Sequence, residues 1–437
     1  MAANMIPTVE AFLKSVVPVE EIRAQARSLG VVQRRRTVDA ATLLTVVVVM
    51  VCGRGGQSLA AMRRAMALKA GVSLARSSFW DRLTPAFEKL VDWLLERLRA
   101  ASEESRPTYS GVLRGFLDVV AVDSTVIKVH DSLSSTWKGT RKSSAEAALK
   151  VHTFVRAVTG ELLKSRITAE SYADCKALGV GHWAKNTLFL FDRGYSSASL
   201  WWRAHRVGGF FVTRLTATYT PTVLAVNRLH RGRARGLAGR PLREALHGLT
   251  RSVVDVNCGF NVQVRAYGKE RGRCFKHPFR VIGVWDPNKK AYSLYVTNVP
   301  PERMSPAQVA EVYRLRWEVE TYYKTGKSGL GLDELPSRQP HIVRTLVKAA
   351  LVRASLAMQA KCEAERNLPS HQWIQPMQWV QVWRVAIEPL LQALVTGTRI
   401  ALEQRPTWAS LATLARDPNV KRPPTRWRAM QEPGLQN

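Results

Sequence analysis

Residues 116–129 read Phe-Leu-Asp-Val-Val-Ala-Val-Asp-Ser-Thr-Val-Ile-Lys-Val, and this run constrains the fold more than any other. It is rich in valine and other β-branched residues, as a buried strand should be. It also carries Asp123 among apolar neighbours. A carboxylate there is costly unless it pairs with a cation or binds metal. The downstream residues narrow the choice of fold. Residues 149–158 meet Thr159-Gly160 and continue as 162–168, which predicts a hairpin. A helix is predicted over 171–180, a short apolar strand over 187–191 ending at Asp192, a helix over 197–206 and a strand over 209–215. Three strands, then helix, strand, helix and strand, make a mixed α/β core.

The flanks have a different period. Residues 8–104 read mostly as helices, and 58–70, a turn at Gly71, then 77–97 suggest helix, turn, helix. That pattern suits either a DNA-reading helix-turn-helix or a plain helical bundle. Residues 216–304 are Thr- and Val-rich, with a second hairpin signal where Asp286-Pro287-Asn288-Lys289-Lys290 separates 279–285 from 291–297. Ser305, Pro306 and Gln308 form a capping-box start for a helix. Helices return through 360 and again over 377–402, before a Pro-rich basic tail. The expected organisation is a helical DNA-binding region over 1–108, a catalytic core over 109–215 and 305–350, a β-rich insertion over 216–304, and a helical C-terminal region over 351–437 suited to dimerisation.

Charge indicates the partner. The 437 residues hold 65 Lys and Arg against 34 Asp and Glu, a net +31, with 46% hydrophobic residues. The apolar content excludes a disordered basic tail, and the length excludes a small basic module as the whole protein. A polyanion is the expected partner. The apolar run Leu43–Cys52 is too short to span a bilayer, which takes roughly 20 residues. The basic residues are spread along the chain, unlike those of a membrane-surface helix. No secretory signal is visible at the start, and five scattered cysteines suit a reducing, cytoplasmic compartment without structural zinc.

Asp123 and Asp192 each have an ordinary explanation, an ion pair with arginine or a loop cap. Glu320 adds spacing. On a helix continued from Pro306, Tyr313, Arg316, Glu320, Lys324 and Lys327 share one face about 80° wide. That face could equally be solvated and held by ordinary ion pairs. Three carboxylates from separate elements can hold two hard divalent cations, which activate the attacking oxygen and stabilise the leaving oxygen of a phosphodiester. Neighbouring cations would hold the backbone phosphates.

The pattern Tyr313-x2-Arg316-x3-Glu320-x6-Lys327, with Trp317 after the arginine, resembles the Tyr-Arg-Glu-Lys signature of DDE transposases of the insertion-sequence-four family. Val122-Asp123-Ser124-Thr125 and Asp192-Arg193-Gly194-Tyr195 resemble that family's two aspartate motifs, in the same order, with a long insertion before the glutamate. The resemblance implies an RNase H-like core with Asp123, Asp192 and Glu320 as catalytic metal ligands for two Mg²⁺, which Mn²⁺ could replace. It implies phosphate contacts from Tyr313, Arg316 and Lys327, and a homodimer on transposon inverted repeats and target DNA; Lys324, on the same helical face, and Trp317, beside the arginine, are further expected DNA contacts. Nicking, hairpin formation and strand transfer would be the reaction course, with a flipped base stacked on an aromatic ring; Trp285, Trp201 and Trp202 could serve but are better explained as core packing, and Trp317, beside the signature arginine, is the better candidate for a role at the site. Other readings are an RNase H-like endonuclease without strand transfer, separable by terminal repeats around the gene, and a silent DNA-binding relative. Asp118 has the opposite strand parity to Asp123 and is expected to face away. His130 and His152 have no metal-ligand partners at helical spacing, and Asp333 and Glu334 are expected past the helix. The runs 34–36 and 231–235 are either solvated surface or phosphate contacts.

Overall fold

The computed structural model describes residues 8–32, 38–51, 58–140, 145–228, 236–249, 251–264, 272–317, 320, 335, 337–368, 373–398 and 405–416. Six helices precede the first strand: α1 (Val9–Val16), α2 (Val19–Ser28), α3 (Ala40–Met50), α4 (Leu59–Ala70), α5 (Arg76–Trp80) and α6 (Pro85–Glu104). The apolar run within 43–52 becomes α3, buried from Ala40 through Val49 and capped by Asp39, which Arg23 holds at 2.9 Å. Among the described residues no helix is long and apolar enough to cross a membrane.

The helix expected over 77–97 is two elements. Thr84 accepts from the Phe87 N–H at 3.2 Å, and Pro85 takes the first turn of a new helix. The residue before a proline is pushed out of the α region, so the chain restarts there. Phe87, Leu90, Val91, Leu94, Leu95 and Leu98 of α6 are buried in the main core. A helix buried along that face is scaffold, so any groove-reading element here would have to use α4 and the short α5.

The strands are β1 (Asp118–Lys128), β2 (Ala148–Arg156), β3 (Leu162–Ala169), β4 (Thr187–Phe191), β5 (Phe210–Arg214), β6 (Thr222–Val226), β7 (Val253–Val264), β8 (Arg273–Asp286) and β9 (Ala291–Thr297). They form one sheet in the order β3-β2-β1-β4-β5-β9-β8-β7-β6. β1, β4 and β5 run parallel, and the other pairs are antiparallel. The β-rich segment therefore continues the core sheet through β9 on β5. Both predicted hairpins are present, with Gly160 at φ 81° in the first. The helix expected over 171–180 shrinks to a single turn, α7 (Asp174–Ala177). Next come α8 (Ala198–Arg206), between β4 and β5, and α9 (Leu242–Leu246).

Strand alternation splits the core in two. Val119, Ala121 and Ile127 face the helices, while Val120 and Val122 join Phe189, Phe191 and the wholly buried Trp201 of α8. Arg156 ties α6 to the sheet from a fully buried position. It binds Asp118 at 3.1 Å, Glu161 at 2.6 Å and the Ser102 carbonyl at 3.0 Å. Asp118 is thus a structural ion-pair partner, in keeping with its strand parity.

The C-terminal helices are α10 (Pro306–Arg314), α11 (Pro340–Arg366), α12 (Pro376–Val382), α13 (Glu388–Thr396) and α14 (Trp408–Leu414). The capping box at Ser305 forms as predicted. α11 is buried at most positions from Ile342 to Ala364, so it is a core helix. The helix expected over 377–402 is interrupted by a wider π turn at Trp383–Ile387. Pro389 comes just after it and lacks the N–H that a regular turn would use.

Candidate active site

The β1–β4 ladder pairs Asp118 with Thr187 and continues in step to Val122 with Phe191. The ladder ends there: Asp123 continues β1, and Asp192 is the first residue past β4, so the two acids follow the last paired positions of adjacent parallel strands. The Ser124 N–H donates to the Asp123 carboxylate at 2.7 Å. Asp192 leaves the strand and its carbonyl accepts from the Tyr195 N–H at 3.0 Å, closing a tight turn.

Glu320 arrives from beyond α10. That helix ends at Arg314, and the Leu315 and Arg316 amides bond three residues back, to Val312 and Tyr313. The single uninterrupted helix assumed for the face 313–327 is therefore broken after Arg314. The tighter turn still brings Arg316 Nη2 to Glu320 at 2.7 Å and Nη1 to Asp192 at 3.3 Å. Bridged by one guanidinium, these carboxylates lie within about 8 Å of each other. Arg316 is 8% exposed, lies near the Tyr313 and Trp317 rings, and keeps a buried Nε–H without an acceptor. Lys324 and Lys327 fall outside the described residues.

Burial, reinforced by the negative charges of Asp192 and Glu320, pushes the Asp123 carboxyl up to about 6, against the Ser124 N–H bond and Arg316. A buried carboxyl raised by desolvation and by two further carboxylates near it belongs to an oxygen-donor set suited to a hard divalent cation. Among the described residues no three His, Cys, Asp or Glu side chains form a ready-made ligand cluster. Arg316 supplies positive charge between Asp192 and Glu320. The donor chemistry fits a metal, provided Arg316 gives way.

Tyr313 is 7% exposed, and its hydroxyl donates to the Phe191 carbonyl at 3.2 Å. Burial pushes that hydroxyl up to about 12, so it stays protonated and braces the end of β4. A direct phosphate contact would require this bond to open. Trp317 is 57% exposed beside Arg316. Of the other aromatic candidates, Trp201 is locked in the core, Trp202 packs against Phe275 and His277, and Trp285 is 37% exposed against Tyr292.

Sequence reasoning missed the group behind the aspartates. Asp174 accepts from Ser124 Oγ at 3.1 Å and pairs with Lys150 at 3.0 Å. His152 is wholly buried and bonds the Tyr195 hydroxyl at 2.8 Å and Thr168 at 2.9 Å. Burial pushes it down to about 4, which keeps it neutral. Thr168 donates to the Ala169 carbonyl, so it accepts from Nε2–H, and Nδ1 accepts from Tyr195. The available signal was Asp174 itself, an acid between Ala173 and Cys175 in a short segment between strands.

Acidic residues where a parallel ladder ends, with an arginine between two of them, are a donor set of the kind that metal-assisted chemistry on phosphodiesters uses. A family model described as Transposase DDE domain matches residues 114–353, more than half of the chain. The chain belongs to the DDE transposase family. It is 27% identical over 389 residues to the transposase for insertion sequence element IS421 of Escherichia coli, covering 79% of this chain and 92% of that one. It is 26% identical over 379 residues to the InsL protein of insertion sequence element IS186A of Escherichia coli K12, with the same coverage. A cryo-EM structure of piggyBac transposase in a synaptic complex with hairpin DNA aligns with TM-score 0.47 and 8% identity, over 91% of this chain and 86% of that chain. The protein is a transposase acting in DNA transposition, in a family that cuts and rejoins DNA strands and generally uses divalent metal.

Proposed function

We propose that this chain is a cut-and-paste transposase of the Tyr-Arg-Glu-Lys class with an RNase H-like core, acting through Asp123, Asp192 and Glu320. The observation that carries the proposal is the β1–β4 register, which sets Asp123 beside Asp192 where Arg316 links the latter to Glu320. The sheet order β3-β2-β1-β4-β5, with only β2 antiparallel to its neighbours, supports the RNase H-like reading. The three carboxylates would hold two Mg²⁺, or Mn²⁺ in their place. Bound there, such cations activate the attacking oxygen and stabilise the leaving one. Tyr313 keeps the end of β4 in place. Arg316, released from the carboxylates, turns its fork to a backbone phosphate, aided by Lys324 and Lys327.

A cleft of about 740 Å³ beginning at Arg193, next to Asp192, is lined by Arg214, Arg243, Lys289, Lys290, Trp285 and Tyr292. Cations around an exposed indole suit a strand with an unstacked base. This supports a hairpin intermediate, in which the free 3′-hydroxyl attacks the opposite strand, and favours Trp285 over Trp317 and Trp202 as the stacking ring. Two copies would hold the paired ends.

The test uses the full chain, DNA carrying the flanking terminal repeats, and Mg²⁺. Asp123→Asn, Asp192→Asn and Glu320→Gln should each abolish strand cleavage while DNA binding stays measurable. Cleavage retained by any one of them removes that residue from the site.

A further inference from the structure

Asp174 lies on the face of β1 opposite the Asp123 carboxylate, and its two oxygens face two different parts of the site. Oδ1 accepts from Ser124, the residue after Asp123, and pairs with Lys150 on β2. Oδ2 lies against Gly194 in the turn just past Asp192. A Cβ added at Gly194 would sit 2.7 Å from it, so the carboxylate packs against the turn and any side chain at 194 would push it aside. The next residue, Tyr195, closes the group by donating to the neutral His152. The Asp174 carboxylate thus sits between the strand carrying Asp123, which it bonds through Ser124, and the turn carrying Asp192, against which it packs, beyond the end of their shared ladder at Val122 and Phe191.

We propose that Asp174 is a positioning residue of the transposase site, clamping Ser124 and the Gly194 turn so that Asp123 and Asp192 converge on one cation, with Lys150 holding the clamp's charge. The inference rests on the proposed metal-ligand role of the aspartates. Hydrogen-bonded groups behind metal ligands typically change metal affinity or activity by about 10–100-fold when removed. Without the clamp the backbone ladder up to Phe191 remains, so the fold persists while the two carboxylates lose their mutual register.

The experiment measures Mn²⁺ binding to the DNA-free full chain by electron paramagnetic resonance, with thermal unfolding in the absence of metal as the control for folding. Asp174→Ala should raise the Mn²⁺ concentration for half-saturation by about tenfold or more, with a metal-free Tm close to that of the parent. Asp174→Asn keeps an acceptor for Ser124 and should recover part of the affinity. Ser124→Ala removes one strap without touching the buried charge. It should weaken Mn²⁺ binding on its own and add little to Asp174→Ala, and it carries the test if Asp174→Ala does not fold. Mn²⁺ affinity unchanged in both Asp174→Ala and Ser124→Ala, or equally reduced by unrelated variants of matched Tm, overturns the clamp. Asp123→Asn separates the two readings: if it too leaves Mn²⁺ binding intact, the ligand assignment fails, and if it alone abolishes binding, only the clamp does.

Discussion

His152 should make the stability of this protein fall with pH in a window fixed by its burial. The ring is fully buried, and its folded pKa is pushed down to about 4 from an ordinary 6.5. A depressed histidine takes up its proton in the unfolded chain first. Its contribution is therefore complete above about pH 6.5, shrinks as pH falls, and is lost by about pH 4. At about 1.4 kcal/mol per unit, the total is about 3 kcal/mol. The source of that energy is desolvation, which disfavours the charged ring, with Lys150 and Arg166 adding to it and Asp174 opposing it; protonation would also take the Nδ1 lone pair from Tyr195. His152→Gln removes the titration and can keep a donor toward Thr168. Urea unfolding of both proteins from pH 7.5 to 4 cancels the carboxylates they share. The difference in unfolding free energy should be flat above pH 7 and drop by about 3 kcal/mol by pH 4. A difference that stays constant within about 0.5 kcal/mol would refute the burial argument. Because Tyr195 sits in the turn of the second aspartate, the same drop should accompany loss of Mn²⁺ binding.

Further expectations concern charge and stacking. Arg316→Gln should lower the slope of log affinity for terminal-repeat DNA against log salt by about one unit; an unaltered slope would mean Arg316 stays with its carboxylates when DNA binds. Arg156→Met leaves Asp118 and Glu161 buried without their cation and should cost about 3–5 kcal/mol of stability, measured by chemical unfolding; a loss under about 1 kcal/mol would show that Tyr109 and Arg106 suffice for Asp118. Trp285→Ala should slow hairpin formation by about tenfold or more while leaving the first nick intact; equal slowing of both steps would assign Trp285 to general DNA binding.

Much of the core was legible because local signals agreed. Valine-rich β1, the Thr159-Gly160 and Asp286–Lys290 turns and the Ser305 capping box are each set by one stretch of chain. Asp123 and Asp192 stood out for the same reason, since a carboxylate is conspicuous against an apolar strand. The break after Arg314 was not legible. It is a shortening from four-residue to three-residue bonds in a segment whose helical periodicity reads unbroken. The split before Pro85 did have a signal, Thr84-Pro85, which the apolar spacing of 77–97 obscured.

By itself, then, the sequence determined the first strands of the core, that Asp123 and Asp192 stand against apolar runs, and that a protein of net charge +31 suits a polyanionic partner. The tertiary structure decided what those acids face. Whether Asp123 meets Asp192 depends on a parallel register between strands separated by a hairpin and a helical turn, and no local pattern encodes that offset. Asp174, Lys150 and His152 acquire meaning only when β2 and α7 are brought against the Gly194 turn. Burial does the same for charge. The identical carboxyl that would titrate normally in an open chain is raised at Asp123 by desolvation and by neighbours distant in sequence. Long-range pairing fixes that environment, and the environment fixes the chemistry.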